Sequence, residues 1–264
     1  MNRSKLFIGI FIAFILIVIT IVLLACTVFI VREVTVESDV SSNLLDEESI
    51  VESSGLTIGR SIISISKEKV KNSIEKDNPY VEVLNIVRIF PNKVIVKVTV
   101  RTGVMVIESS THENVALIDT SMKVLKVVTA AEASSFDATI VKGVTFDIPE
   151  GGVDSLIGSR LTLNNAAYDA IFSEIAEFTA NYDLQGQSFS TLFKEITFTE
   201  KDTGTVVLIR TNKNVTFVLD KSLASEIYYQ MYKCMFLYVK SDYSTGYIGF
   251  DRTNNAYAWM ESLD

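Results

Sequence analysis

The residues that could carry catalysis or bind a metal are few in this sequence. It contains one histidine, His112, and two cysteines, Cys26 and Cys234. A structural zinc site needs about four clustered ligands, and a serine nucleophile needs a histidine base beside it. His112 lies in the polar segment 109–114, which indicates an exposed surface turn. We therefore predict no catalytic residue, no metal-ligating residue and no cofactor-binding residue, and hence no cofactor.

Two other short patterns imitate functional motifs. Residues 46–48 are three consecutive acids, but acids in the first turn of a helix are stabilised by the helix dipole, which accounts for them. Residues 214–216 match a glycosylation sequon, a motif that is common by chance. The phosphate-loop, H-E-x-x-H and G-x-S-x-G motifs do not occur in the sequence. The motifs therefore favour a protein that is not an enzyme.

The composition is that of a folded protein with one strongly apolar segment. Hydrophobic residues make up 48% of the chain and charged residues 21%, with a net charge of -8. Proteins that bind nucleic acid carry basic patches, and proteins recruited by anionic lipid carry Lys/Arg clusters; the sequence has neither. Cys26 lies in the apolar segment and Cys234 in a predicted helix, so we expect no disulfide between them.

An uncharged apolar run occupies residues 6–31. As a helix it would extend about 39 Å, more than the ~30 Å hydrocarbon core of a bilayer. Arg3 and Lys5 precede the run, and Arg32 and then several acidic residues follow it. The positive-inside rule therefore predicts a cytoplasmic tail at residues 1–5, a single transmembrane helix at 6–31 and an extracytoplasmic remainder.

Two other kinds of N-terminal segment also contain an apolar run, the cleaved signal peptide and the lipoprotein signal. A cleaved signal peptide has a shorter apolar core, of ~7–15 residues, and a cleavage site of small residues, which this run lacks. A lipoprotein signal remains open, because residues 23–26 resemble a lipobox that ends in Cys26. The apolar run continues past Cys26, where a lipoprotein normally becomes polar. An uncleaved membrane anchor is therefore favoured.

Residues 32–102 have the pattern of a small domain with the element order β-α-α-β-β. Residues 34–37 alternate as a short strand, Asp46 is placed to cap a first helix and Ser66 to cap a second. Two strands follow, joined by a turn at Pro91. In the second of them, valines at positions 94, 96, 98 and 100 occupy every second place, which predicts one buried face.

Several motifs of this region resemble the POTRA domain of the FtsQ/DivIB cell-division family. They are Tyr80-Val81, Arg88-Ile89-Phe90-Pro91-Asn92, the valine alternation, and upstream Val34-Thr35-Val36, Ile50 and Gly55-Leu56-Thr57-Ile58-Gly59. The resemblance covers about residues 30–125. Val100, Gly103 and Met122 depart from it, since the family often has an acid, a proline and a glycine there. POTRA domains are docking modules, so the resemblance implies a protein that binds other chains by pairing at sheet edges.

Residues 103–264 read as a second, mixed α/β domain. Short strands are predicted near residues 105–108, 115–118, 124–128 and 140–146, then a helix over 164–178. A meander of strands follows at 195–200, 205–210 and 215–219. A second helix is predicted from Ser222 to about Tyr238, and two closing strands at 247–251 and 256–260 complete a C-terminal antiparallel sheet. The predicted fold class is thus α+β, with a transmembrane helix, a POTRA domain and this second domain.

The end of the sequence resembles the last strands of the same family. The pattern Tyr247-Ile248-Gly249-Phe250-Asp251-Arg252 with Ala256-Tyr257-Ala258-Trp259 carries the resemblance, although Gly249 replaces the usual acid. The family's second, β domain binds the coiled-coil division proteins FtsB/DivIC and FtsL there. By resemblance we predict a partner-binding edge formed by Tyr247, Ile248, Phe250, Ala256 and Trp259. Burial of these side chains in the core is the competing interpretation.

The resemblance implies a scaffold of the division septum in the cell membrane, which binds FtsB/DivIC-like and FtsL-like partners and helps regulate septal peptidoglycan synthesis. The alternative is a membrane-anchored extracytoplasmic ligand-binding protein or enzyme, which would need a pocket with convergent polar groups. An export component with POTRA repeats and a membrane barrel is a third hypothesis, but the sequence shows neither the repeats nor the required length.

Overall fold

The computed structural model describes residues 3–40, 42–182, 188–202, 204–222, 226–240, 244–250 and 256–259. It divides the chain into two compact units, Met1–Arg101 and Thr102–Asp264. Each unit has a sheet and a hydrophobic core of its own.

The first element is helix α1, Arg3–Thr27, whose sequence is almost wholly apolar. Its large apolar side chains are exposed where they are described, as at Phe11 and Phe14. Within the described residues, no helix combines the length and the apolarity needed to cross a membrane. The transmembrane helix at residues 6–31 stays a prediction from the sequence. Cys26 lies in α1, and its side chain is outside the described residues.

The end of the apolar run belongs to the fold of the first unit and not to helix α1. The Val31 N–H donates to the Arg60 carbonyl at 2.8 Å, and the Val31 carbonyl accepts from the Gly59 N–H at 2.8 Å. The Ile62 N–H donates to the Phe29 carbonyl at 2.9 Å. Val31 is completely buried in the core of this unit. A helix that continues to residue 31 was therefore a wrong prediction, because apolar composition alone does not separate a helix from a buried extended segment.

After α1, the first unit has the predicted order β-α-α-β-β. Its elements are β1 (Glu33–Ser38), α2 (Glu47–Ser53), α3 (Lys67–Asp77), β2 (Val81–Ile89) and β3 (Lys93–Val100). The three strands form one sheet in the order β1-β3-β2, in which β1 runs parallel to β3 and β2 antiparallel to it. The two helices pack against this sheet and against each other.

Local sequence signals explain these elements. The Asp46 side chain accepts the Glu48 N–H at 3.1 Å and so caps α2, and the Ser66 side chain caps α3. Gly55 follows α2 with φ +62, a left-handed conformation that glycine adopts without strain. The alternating valines of β3 are buried at positions 94, 96 and 98, as predicted.

The second unit is built on one mixed sheet of nine strands. Its elements are β4 (Met105–Ser109), β5 (Asn114–Ile118), β6 (Val124–Thr129), β7 (Thr139–Phe146), α4 (Ala166–Asn181), α5 (Phe189–Leu192), β8 (Phe193–Lys201), β9 (Gly204–Thr211), β10 (Val215–Asp220), α6 (Ile227–Lys240), β11 (Gly246–Phe250) and β12 (Ala256–Trp259). The spatial order is β12-β11-β10-β9-β8-β7-β4-β5-β6. Helices α4 and α6 pack together, and both contribute to the main core of the unit.

The C-terminal sheet differs in part from the prediction. The antiparallel meander of β8, β9 and β10 is present, and β11 pairs antiparallel with β12. However, β11 runs parallel to β10, because α6 crosses over between them and returns the chain in the same direction. Helix α6 begins at Ile227 and not at Ser222, while residues 223–225 lie outside the described residues.

Candidate partner-binding edge

Strand β12 is the last strand of the nine-stranded sheet. It pairs with β11 on one side, through the register Tyr247↔Trp259, Ile248↔Ala258, Gly249↔Tyr257 and Phe250↔Ala256. No described strand pairs with its other side. A strand in this position presents a row of backbone N–H and C=O groups on which another chain can form a ladder. The arrangement is therefore able to receive an added strand.

The opposite end of the sheet, β6, is more protected. The Val124 N–H donates to the Ser159 carbonyl at 2.9 Å, and the Gly158 N–H donates to the Val124 carbonyl at 2.8 Å. Lys126, in the middle of the strand, is exposed and charged. Backbone cover and an edge lysine are both devices that oppose pairing with a further strand. Of the two ends of this sheet, β12 is thus the better candidate for binding.

Two of the five predicted contact residues lie inside the protein. The side chain of Ile248 is completely buried, and Phe250 is 8% exposed; both belong to the main core of the second unit. Ile248 also lies under helix α6, since the Cys234 Sγ is 3.7 Å from its carbonyl oxygen. For Ile248 and Phe250 this burial favours the competing interpretation, in which the side chains belong to the core. They hold β11 to the core and so fix the position of β12.

The other three predicted residues lie at or beside the edge. Tyr247 is half-buried, and its register partner across the hairpin is Trp259. Ala256 and Trp259 are in strand β12, but their side chains are outside the described residues. Ala258, between them, packs against the core.

The first unit also has two edge strands, β1 and β2. Strand β2 carries a bulge between Val83 and Asn85, and Leu84 within it is 57% exposed. A bulge interrupts the regular ladder and bends the strand, which makes continuous pairing more difficult. Strand β1 carries the exposed acids Glu33 and Glu37, which form ion pairs with lysines of β3. These edges are less suited than β12 to an added strand.

The groups that could support chemistry are dispersed in the structure. The His112 side chain is 69% exposed in a turn and pairs with Glu108 at 2.9 Å, as predicted for a surface turn. Burial raises the pKa of the Cys234 thiol, which keeps it protonated and unreactive. Among the described residues, no group of three or more His, Cys, Asp or Glu side chains is placed to hold a metal ion.

A surface depression of about 210 Å³ in the second unit has a charged lining that includes Arg160. The Arg160 Nη2 donates to the Ser173 Oγ at 2.8 Å, and Nη1 lies 3.3 Å from an Asp169 carboxylate oxygen. These polar groups bind one another and do not converge on a ligand. The depression therefore does not favour the ligand-binding or enzymatic alternative.

One further feature was missed by the sequence analysis. Helix α6 buries Ile227, Met231 and Met235, but its opposite side also carries large apolar side chains that are exposed. They are Tyr229, Tyr232, Phe236 and Val239. Their spacing of three, four and three residues was visible in the sequence and was the signal that could have revealed this surface.

Comparison with known families agrees with the fold of the first unit. Residues 30–101 match the sequence family described as POTRA domain, FtsQ-type. These bounds coincide with the segment that starts at the Ile30–Ser61 bridge and ends after β3. No curated protein matches the chain.

The first unit thus defines the class: this is a protein with a POTRA domain. The FtsQ type of that domain confirms the resemblance to the FtsQ/DivIB family that the sequence of residues 30–101 shows.

Proposed function

We propose that this protein is a scaffold of the division septum that binds other division proteins through its second unit and catalyses no reaction. The observation that carries the proposal is the open edge of β12, at the end of the sheet in a chain that also has an FtsQ-type POTRA domain. By resemblance, the partners are FtsB/DivIC-like and FtsL-like coiled-coil proteins, and the second unit corresponds to the family's β domain.

The proposed mode of binding is addition of a partner strand to β12. The backbone of the partner supplies most of the affinity, and side chains at alternate positions supply the specificity. Tyr247 and Trp259, as register partners on the hairpin, are the proposed contact residues. Such binding would bring a partner to the septum without a cofactor or a nucleotide.

Membrane attachment is part of the proposal and rests on the sequence. Residues 6–31 contain no charged side chain, and Arg3 and Lys5 precede them. These features support a single-pass anchor with residues 1–5 in the cytoplasm and the POTRA domain and second unit outside. In this position the protein would act on septal peptidoglycan synthesis by holding its partners.

Removal of β12 alone is expected to abolish partner binding. A chain that ends at residue 255 keeps β11, whose Ile248 and Phe250 are needed in the core. Expressed in the host and purified in mild detergent, it should recover at least about tenfold less partner than the full chain, since loss of a strand ladder removes several hydrogen bonds of ~1 kcal/mol each. Leu84→Ser on strand β2 is the matched control and should recover the partner fully.

The same experiment can refute the proposal. Equal recovery of coiled-coil division proteins by the full and shortened chains would exclude β12 as the binding edge. If neither chain recovers any such protein, although both are folded, the division function itself is wrong. Both chains should also stay in the membrane fraction at alkaline pH, and their release would contradict the anchor.

A further inference from the structure

The outer side of helix α6 is an apolar surface that the proposed strand addition does not use. The side chains of Tyr229, Tyr232, Phe236 and Val239 are between 40% and 53% exposed, and we call them the α6 stripe. The inner side of the helix is already occupied, because Met231 and Cys234 are completely buried in the core. A soluble surface rarely presents several large apolar side chains together unless they meet another molecule.

The spacing of the α6 stripe is that of a helix-packing seam. Its members are separated by three, four and three residues, the a/d pattern with which one helix packs along another. From Tyr229 to Val239 the stripe extends about 15 Å, or nearly three helical turns. The stripe is therefore suited to a second helix lying along α6 rather than to a compact ligand.

The charges beside the stripe indicate what kind of helix this is. The only charged residues in α6 are Lys233 and Lys240. Their ammonium groups lie over the rings of Tyr229 and Phe236, at 5.3 Å and 5.7 Å from the ring centres. If the α6 helix of a second copy of this chain packed here, the lysines of the two helices would lie against each other and repel. A helix with acidic residues beside its apolar seam would pair with both.

We propose that the α6 stripe binds an amphipathic helix of a partner protein, with apolar residues at a/d spacing and Asp or Glu at the flanking positions. The inference deepens the proposed function and rests on it, since it assigns a second contact to a partner of the same unit. The stripe and the edge belong to neighbouring elements, since α6 packs on both β11 and β12. One partner can thus pair a strand with β12 and lay a helix on α6.

Photocrosslinking of the full-length chain in its host tests this contact. Benzoylphenylalanine replaces Phe236 in one variant and Tyr257, in strand β12, in another, and crosslinked peptides are identified by mass spectrometry. The expected result is that both positions crosslink to the same partner chain. The peptide captured at position 236 should come from a segment with an apolar a/d seam and acidic flanks.

Charge reversal gives the matched comparison. Lys233→Glu with Lys240→Glu should lower the crosslink yield at position 236 about fivefold, because two attractive ion pairs at the surface become repulsive. Lys126→Glu with Lys201→Glu makes the same change of net charge on exposed lysines of β6 and β8 and should leave the yield unchanged. Circular dichroism verifies that each variant is folded.

The other outcomes separate the two proposals. If position 257 captures a partner and position 236 captures lipid, a second copy of this chain or its own residues, the helix contact is wrong and the strand contact stands. A non-helical or basic peptide at position 236, or an equal yield in the charge-reversed variant, also overturns the inference. If neither position captures a partner chain, the proposed function fails together with it.

Discussion

Replacing Gly143 with alanine is expected to lower the free energy of unfolding of the second unit by about 2–5 kcal/mol. Gly143 lies in β7 with φ +77, where an added side chain costs ~1–2 kcal/mol of backbone strain. A Cβ atom at this position would also overlap the carbonyl oxygen of Phe198 in the neighbouring strand β8. Because that atom belongs to the backbone of the sheet, relief requires the strands to separate, which adds ~1–3 kcal/mol.

Gly152→Ala is the matched control for this substitution. Gly152 has nearly the same φ, +76, but an added Cβ would meet no atom within 4 Å. We expect a loss of ~1–3 kcal/mol, from backbone strain alone, without a clash with a neighbouring strand. Urea unfolding of the full chain, followed by the fluorescence of its single tryptophan, Trp259, measures both. Equal losses in the two variants would mean that the close approach of β7 and β8 is not as described.

Replacing Glu75 with alanine is expected to destabilise the first unit by about 3–5 kcal/mol, because it removes the buried carboxylate that pairs with the buried Arg101 guanidinium. The Glu75 Oε1 accepts the Val83 N–H at 2.9 Å and lies 3.2 Å from the Arg101 Nη2. The two side chains are only 6% and 8% exposed. Glu75 thus joins helix α3 to β2 and to the residue at the end of the POTRA domain.

Glu82→Ala is the control, because Glu82 is also an acid near Arg101, at 3.8 Å, but is 41% exposed. Its loss should cost less than ~1 kcal/mol, as is usual for exposed ion pairs. The double variant Glu75→Ala/Arg101→Met should recover part of the stability, since it removes both buried charges. Hydrogen exchange of peptides from β2 and β3 measures the stability change in all three variants, Glu75→Ala, Glu82→Ala and the double variant. A loss in Glu82→Ala as large as in Glu75→Ala would contradict this account of the pair.

The POTRA domain was predictable because its signals are local. The caps at Asp46 and Ser66 and the alternating valines of β3 each specify an element within a few residues, and the structure has all of them. The boundary at Val31 was not predictable in this way. Its burial depends on backbone pairing with Gly59 and Arg60, which are distant in the sequence.

The second unit shows why the candidate site was only partly predictable. Strands β10 and β11 were both expected, but their parallel pairing depends on the path of α6, which local periodicity does not encode. The same pairing places Ile248 and Phe250 under the helix and leaves β12 at the edge. An alternating apolar strand has the same sequence pattern whether its apolar face meets its own core or a partner.

Hydrogen exchange of β12 in the presence and absence of the purified partner tests the central claim most directly. Strand addition would protect the backbone amides of β12, and we expect exchange in peptides covering residues 256–259 to slow by at least about tenfold, which corresponds to ~1.4 kcal/mol. Peptides from β6 should exchange at the same rate in both states. Unchanged exchange in β12, with new protection in β6 or in β2, would contradict the claim that β12 is the edge that binds.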